Sequence, residues 1–365
     1  MLKNLQNLNP FRRFYAVVAV TGENRATASE AIYCVLKKYF KVSRLKEENK
    51  NFFLGGDILI IESNNPERIG KFLKRSELPI LVVTAFSEIL PDIDFFASDP
   101  NKLKEIVKIA RSLISVGWLV LNFDDGTVRD IKKETPANVL TFGFKENADL
   151  WATDIKLNGG TNFKINDKGS IIPVWLNKTF GREQVYSALA AAAVGKVLKL
   201  NLVKISELLR DYRSLAGKMR LIKGINGAWI IDDTESATPF SMIEALSVLR
   251  EIRLENLSDE VLGRKIAVLG DVIGVGKYTI EAHETIGEKV AETADLLISV
   301  GGRAKFIAQG AISKGMSKQK IYYFYSSQEA ANFLKKELKK GDLVLVDGSQ
   351  EMKMEVIVNQ LKRKR

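Results

Sequence analysis

A polar stretch, Thr21-Gly22-Glu23-Asn24-Arg25-Ala26-Thr27, follows the apolar run Ala16-Val17-Val18-Ala19-Val20 and precedes a segment with Ile32, Val35, Leu36 and Phe40 at helical spacing. A buried strand, a glycine turn and a helix in that order aim backbone N–H groups at an anion, so the chemistry this stretch could do is to cradle a phosphate. A complete cradle adds a lysine for the β- and γ-phosphates and a neighbouring hydroxyl for Mg²⁺. Thr27 supplies the hydroxyl, while Ala26 stands at the lysine position and Arg25 where a glycine is expected. Arg25 brings charge, but its Cβ restricts the tight turn that glycine permits. Two readings of these residues stay open: a phosphate loop running from Thr21 to Thr27, and an ordinary βα turn of an α/β sheet.

The elements that must position this loop alternate. Strand-like runs at 58–61, 80–83 and 118–121 end at Glu62, Thr84 and Asn122, with helical patterns at 67–74 and 102–114 between them. This is the rhythm of a mostly parallel sheet. Residues 139–175 change to short alternating strands with turns at 158–160 and 167–169, which predicts an antiparallel addition. An alanine-rich helix at 181–200 and a second helix at 204–213 follow, and the βα pattern then restarts with strands at 229–233, 265–270, 296–301 and 343–346. The predicted organisation is an N-terminal extension over 1–15, a central P-loop-type α/β domain over 16–215 and a Rossmann-like α/β domain over 216–365.

Composition narrows the class. With 365 residues, 46% of them hydrophobic, the chain can bury a sizeable core and form two domains or more. The single cysteine, Cys34, lies among apolar helix residues, which points to packing and fits a reducing cytoplasm. The first apolar run is five residues and none reaches the ~18 of a membrane span, so neither a signal peptide nor a span is expected. The net charge of +11 is spread over the chain, with clusters at Lys37-Lys38, Lys132-Lys133, Lys335-Lys336 and Lys339-Lys340 and a basic tail, 362–365. No nucleic-acid motif accompanies it, and solvated basic faces are preferred to a specific nucleic-acid partner.

Beyond the loop, several stretches in order resemble one family. They are Ile60-Ile61-Glu62, Val120-Leu121-Asn122-Phe123-Asp124-Asp125, Tyr186-Ser187-Ala188-Leu189-Ala190-Ala191-Ala192, Gly217-Lys218-Met219, Ile231-Asp232-Asp233-Thr234, Ala267-Val268-Leu269-Gly270-Asp271, His283, and Gly348-Ser349 with Met352-Lys353-Met354-Glu355. Together with Val20 to Asn24 they resemble the Mur ligase family, most closely the branch that adds D-alanyl-D-alanine to the UDP-muramoyl tripeptide. The resemblance implies a central ATP-binding domain and a Rossmann-like C-terminal domain. It also implies ATP and Mg²⁺ as cofactors, amide synthesis through a phosphorylated carboxylate, and a cytoplasmic role beside other cell-wall synthesis proteins. It places nucleotide contacts at Thr21 to Thr27, Lys218 and Asp233, metal contacts at Thr27 and Glu62, and catalytic candidates at Lys108 and His283. Glu62 also reads as a solvent-facing strand-end carboxylate, and His283 as a packed, satisfied side chain.

The chain departs from the family where chemistry is carried. Ala26 replaces the phosphate lysine, Glu183-Gln184 a His-Asn pair, Lys218 an arginine, Asp347 a lysine and Gln350-Glu351 an arginine-glycine pair. The family position for a carbamylated lysine falls at Ala110 or Arg111, with Lys108 close by. The residues before the first strand leave no room for the family's UDP-binding domain, and 42–57 is short for its substrate loop. Two functions are therefore expected from sequence: a catalytically impaired paralogue with a scaffold or regulatory role, needing no cofactor, or a divergent active ATP- and Mg²⁺-dependent acid–amino acid ligase acting on an unidentified small molecule.

Overall fold

The computed structural model describes residues 14–46, 56–85, 100–157, 159–235, 237–252 and 263–363. The N-terminal extension as far as residue 13, most of the short 42–57 segment and the last two residues of the basic tail lie outside them. The chain divides into two compact units, one of 1–155, 163–175 and 182–212, the other of 156–162, 176–181 and 213–365.

The first unit opens with β1 (Phe14–Thr21), α1 (Arg25–Leu36), β2 (Val42–Leu45), β3 (Ile58–Glu62), α2 (Pro66–Leu73) and β4 (Ser76–Val83). It continues through α3 (Pro100–Ser112), β5 (Trp118–Asn122), α4 (Gly126–Asp130), β6 (Asn138–Gly143), β7 (Leu150–Leu157), β8 (Gly160–Asp167) and β9 (Ser170–Asn177), and ends with α5 (Arg182–Val197) and α6 (Leu202–Leu209). Its strands lie in the order β2-β3-β1-β4-β5-β6-β7-β8-β9. Central placement explains the composition of β1: Ala16 to Val20 are all fully buried, as a strand covered on both faces requires. Val17 and Ala19 join Leu59, Ile61, Leu81 and Val83 in a core under α2 and α3, which contribute Ile69, Leu73, Ile106, Ile109, Ala110 and Leu113.

The alanines of α5 permit close helix packing against α1 and α6. Ala188 to Ala193 are wholly buried, and at Gly195 an added Cβ would lie 2.5 Å from Ile205 Cδ1 on α6. Where sequence predicted a helix from about residue 29, α1 begins at Arg25, so the turn after β1 is only Gly22 to Asn24. β4 begins four residues earlier than the apolar run suggested, with Pro79 inside it paired to Val17. The first pairing of the predicted antiparallel addition, β6 with β7, is parallel.

The second unit contains β10 (Arg220–Lys223), β11 (Trp229–Asp233), α7 (Pro239–Glu251), β12 (Lys265–Gly270), α8 (Thr279–Thr293), β13 (Leu296–Val300), α9 (Lys305–Ser313), β14 (Ile321–Phe324), α10 (Ser327–Glu337), β15 (Leu343–Asp347) and α11 (Glu355–Leu361). The strand order is β10-β11-β15-β12-β13-β14, parallel except for the edge strand β10. One face is covered by α7, α8 and α9 and the other by α10 and α11. The chain leaves β12 toward the first face and β15 toward the second, so adjacent strands diverge at their C-terminal ends, the place where open α/β sheets bind ligands.

Candidate functional site

In the first unit the sheet's C-terminal edge gathers the residues that sequence singled out. Gly22 adopts φ +102°, and a Cβ there would lie 2.4 Å from the Ala85 carbonyl oxygen, so the backbone demands glycine. The turn is held from both neighbouring strands. Asn64 Oδ1, two residues beyond β3, accepts from Gly22 N–H at 2.9 Å and from the Thr21 hydroxyl at 3.0 Å. The Ala85 carbonyl, just beyond β4, accepts from Glu23 N–H at 2.7 Å, and the Thr84 hydroxyl reaches the carbonyls of Thr21 and Glu23.

Asn24 is left-handed at φ 58° and makes no side-chain cap on α1. Arg25 turns back, its Nη1 donating to the Gly22 carbonyl at 3.4 Å. Thr27, the expected metal hydroxyl, is fully buried and donates to Glu183 Oε1 at 3.1 Å. Beside it Tyr212 donates to Gln184 Oε1 at 2.8 Å, and burial first, then the carboxylates of Glu183 and Glu30, push its phenol well above the usual range. Glu62 closes β3 in register with Val20, which sets it beside the turn. Among the described residues no group of three or more His, Cys, Asp or Glu side chains is arranged to hold a metal ion.

A second polar cluster lies at the ends of β5 and β6. Asp124 accepts from Phe144 N–H at 2.6 Å, Lys145 N–H at 3.1 Å and the Tyr186 hydroxyl at 2.8 Å, while Asp125 caps α4. Burial, then the Asp124 carboxylate, raises the Tyr186 phenol far above its ordinary range. Arg182 stacks on Phe144 with its guanidinium carbon 4.1 Å from the ring centroid. The carboxylate that the Asn122-to-Asp125 stretch advertises is thus saturated by donors of its own unit.

Lys108 is not brought to this edge. It sits toward the end of α3, two-thirds exposed, with its ammonium 2.6 Å from Glu105 one turn away. The inward positions of that helix are Ile106, Ile109 and Ala110, and Lys108 stands on its outer side in a surface ion pair.

In the second unit the paired aspartates at the end of β11 fasten a turn. Asp232 accepts from Gly217 N–H at 2.9 Å and from the Thr234 hydroxyl at 2.8 Å, and Asp233 accepts from Met219 N–H at 3.0 Å. Lys218, between them, lies 4.0 Å from Glu235. The structure therefore brings Lys218 and Asp233 together at one sheet edge.

His283 is also settled by its partners. Its Nε2 accepts from Val272 N–H at 3.1 Å and its Nδ1–H donates to the Thr279 carbonyl at 2.6 Å, which fixes the neutral tautomer. Burial holds its pKa below the ordinary histidine value. The imidazole is fully buried with both nitrogens on backbone groups, and it pins the loop after β12.

Sequence reasoning missed Asn64 and Ala85 as partners of the loop and the Glu183–Thr27 contact. An asparagine two residues past a strand end that flanks the glycine turn was the available signal for Asn64.

A glycine turn from a central parallel strand into a buried helix, followed by a second open parallel sheet with divergent connections, defines a two-unit α/β protein. Residues 74–195 match the Mur ligase middle domain, and residues 217–350 match the Mur ligase glutamate ligase domain. The UDP-N-acetylmuramate–L-alanine ligase of Sulfurihydrogenibium sp. is 28% identical over 92% of this chain and 73% of its own length. The UDP-N-acetylmuramoyl-tripeptide–D-alanyl-D-alanine ligase of Bacillus subtilis is 28% identical over 94% and 75%. Among solved structures, the MurF ligase of Thermotoga maritima in complex with ADP superposes with a TM-score of 0.72 at 22% identity, over 95% of this chain and 79% of that one. MurF of Acinetobacter baumannii gives 0.75 at 21%, over 96% and 76%. The chain belongs to the Mur ligase family.

Proposed function

We propose that this chain is a catalytically impaired Mur ligase paralogue, with a scaffold or regulatory role among proteins of cell-wall synthesis. One observation carries the reading: three of the groups a triphosphate would need are already engaged inside the protein. Gly22 N–H is on Asn64, Glu23 N–H is on Ala85, and the Thr27 hydroxyl is on the Glu183 carboxylate. Ala26 supplies no cation at the lysine position. A carboxylate against the position where Mg²⁺ and phosphate oxygens would meet repels the anion it replaces. The loop as it stands does not fit a magnesium-bound triphosphate. The test is calorimetric titration of the purified full chain with ATP, with and without Mg²⁺. No saturable binding at millimolar ATP is expected, and magnesium-dependent micromolar binding would overturn the proposal.

A second reading, a divergent active ATP-dependent acid–amino acid ligase, is favoured by one feature. The N-terminus of α1 has no side-chain cap, and the Arg25 guanidinium lies against the loop. Here Arg25 would stand in for the missing lysine, Thr27 and Glu62 would face Mg²⁺, and Lys218 with Asp233 would meet the nucleotide. This reading requires ATP affinity that falls at least tenfold in Arg25→Ala. Equal affinity in both proteins would remove it.

A further inference from the structure

Asp347 ends β15, and both of its carboxylate oxygens are buried without a hydrogen-bond partner. Alternation fixes where it points. Leu343 and Leu345 belong to the core under α7 and α8 while Val344 and Val346 belong to the opposite one, so Asp347 faces the α7 side. On β11, Trp229 and Ile231 face that same side, which puts Asp233 there too. The parallel register sets Asp233 directly opposite Asp347.

The rest of the surroundings can be accounted for element by element. β12 offers Leu269 in register, and α7, packed on β15, turns Met242, Ala245 and Leu246 to this core. The turn before β10 contributes Lys218, a cation acting on Asp347, and Gly348 N–H also favours its charge though it lies outside hydrogen-bond geometry. The neighbouring acids are otherwise engaged: Asp232 holds Gly217 N–H and the Thr234 hydroxyl, and Asp271 holds Arg303 and Ala304 N–H at 2.9 and 2.7 Å. Burial, then the charge of Asp233, drives the Asp347 carboxyl well above the usual carboxylate range, against the smaller pull of Gly348 and Lys218.

Two facing carboxylates in a dry strand edge cannot both be ionised without a large repulsion, whereas one proton between them turns repulsion into a hydrogen bond. We propose that Asp347 and Asp233 form a proton-sharing carboxyl pair, in which the Asp347 acid donates its O–H to the Asp233 carboxylate, and that this pair is a pH-sensitive clasp on the β11–β15 edge. No bond other than O–H is made or broken. The clasp bears on the loops because β15 runs straight into Ser349, whose N–H donates to the Asp271 carbonyl at 3.1 Å and whose hydroxyl accepts from Ile273 N–H at 2.8 Å. Loss of the proton leaves two like charges side by side and loosens that turn.

The sign follows from linkage. A carboxyl whose folded pKa is raised holds its proton longer in the folded chain, so its contribution is fully present below the unfolded pKa near 3.9 and is lost as pH rises toward the folded pKa. Asp347→Asn keeps the shape and a donor without the proton. The folding equilibrium constant of this variant, relative to wild type, should therefore gain up to about tenfold per pH unit across that window.

Difference infrared spectroscopy of the full chain, with ¹³C-labelled aspartate, provides the direct readout. The expected result is a protonated-carboxyl C=O band at pH 7 that is absent from Asp347→Asn. Absence of the band in wild type, its persistence in Asp347→Asn, or a stability difference that does not change with pH would each overturn the proposal. Should Asp347→Asn not fold, the wild-type band alone decides, since Asp233→Asn must shift its frequency by changing the acceptor.

Discussion

The edge at Gly22 and the edge at Asp347 are both C-terminal ends of parallel sheets, and their polar accounting is opposite. At the first, Thr21, Gly22, Glu23 and Thr27 each find a partner on a neighbouring strand end or helix. At the second, a fully buried carboxylate finds none and faces another carboxylate. Both are places where the family resemblance implies cations, a lysine at Ala26 and a lysine at Asp347. Losing a cation from an exposed turn lets the protein fill the gap with its own dipoles. Losing one from a buried strand end leaves a charge to be handled, and a proton is the smallest way to handle it.

The comparison breaks most visibly if the first edge proves pliable. Gly22→Val places a Cβ 2.4 Å from the Ala85 oxygen in a backbone conformation that β-branched residues avoid. It should lower the unfolding free energy in urea by about 4 kcal/mol, strain and clash together. A loss below ~1 kcal/mol would mean the turn is free to rearrange and could open to a ligand. Next in size is the opposite edge, where removing a liability should stabilise. Asp347→Asn should gain stability relative to wild type as pH rises from 5 to 7, by up to ~1.4 kcal/mol per pH unit. Destabilisation at both pH values would make Asp347 an ordinary satisfied carboxylate.

Asn64→Ala sharpens the comparison from the other side. It removes the acceptor shared by Gly22 N–H and the Thr21 hydroxyl, both belonging to buried residues, and should cost about 2 kcal/mol. The same variant unlatches one loop amide, so any rise in affinity for inorganic pyrophosphate would identify the latch as what keeps anions out. Unchanged stability would show that water already serves these donors.

The two sheets that carry these edges were legible in the sequence, because burial on two faces writes itself as uninterrupted apolar runs. Ala16 to Val20 and the strands at 229–233, 265–270 and 296–300 all lie within or beside the predicted bounds. β10 and β14 were not legible, since an edge strand such as Arg220-Leu-Ile-Lys223 is half polar and four residues long. Helix α1 was placed late because Arg25 to Ser29 reads as turn chemistry, whereas Thr27 and Ser29 are both buried and Thr27 donates to Glu183 on α5. The candidate residues were found as positions and not as partners. A sequence announces that Thr27 carries a hydroxyl and Glu183 a carboxylate, but 156 residues separate them and only the packing of α1 on α5 brings them to 3.1 Å.

The smallest expected effect separates buried groups that are satisfied from buried groups that are not. His283 is as deeply buried as Asp347, yet both of its ring nitrogens have backbone partners. Its folded pKa lies below the ordinary value, so folding favours the neutral ring. Stability from this group is present above the unfolded pKa of ~6.5 and is lost as pH falls through that value toward the folded one, the reverse of the Asp347 direction. The effect should stay near 1 kcal/mol, because backbone partners compensate the burial. As the chain contains one histidine, a single imidazole proton resonance reports it without assignment. That resonance should titrate with a midpoint below the ordinary histidine value of ~6.5, with the Nδ1-protonated tautomer in its nitrogen shifts above it. A midpoint at or above 6.5 would mean that the ring meets water or an acid, and the loop after β12 would have to be counted with the open edges and not with the closed ones.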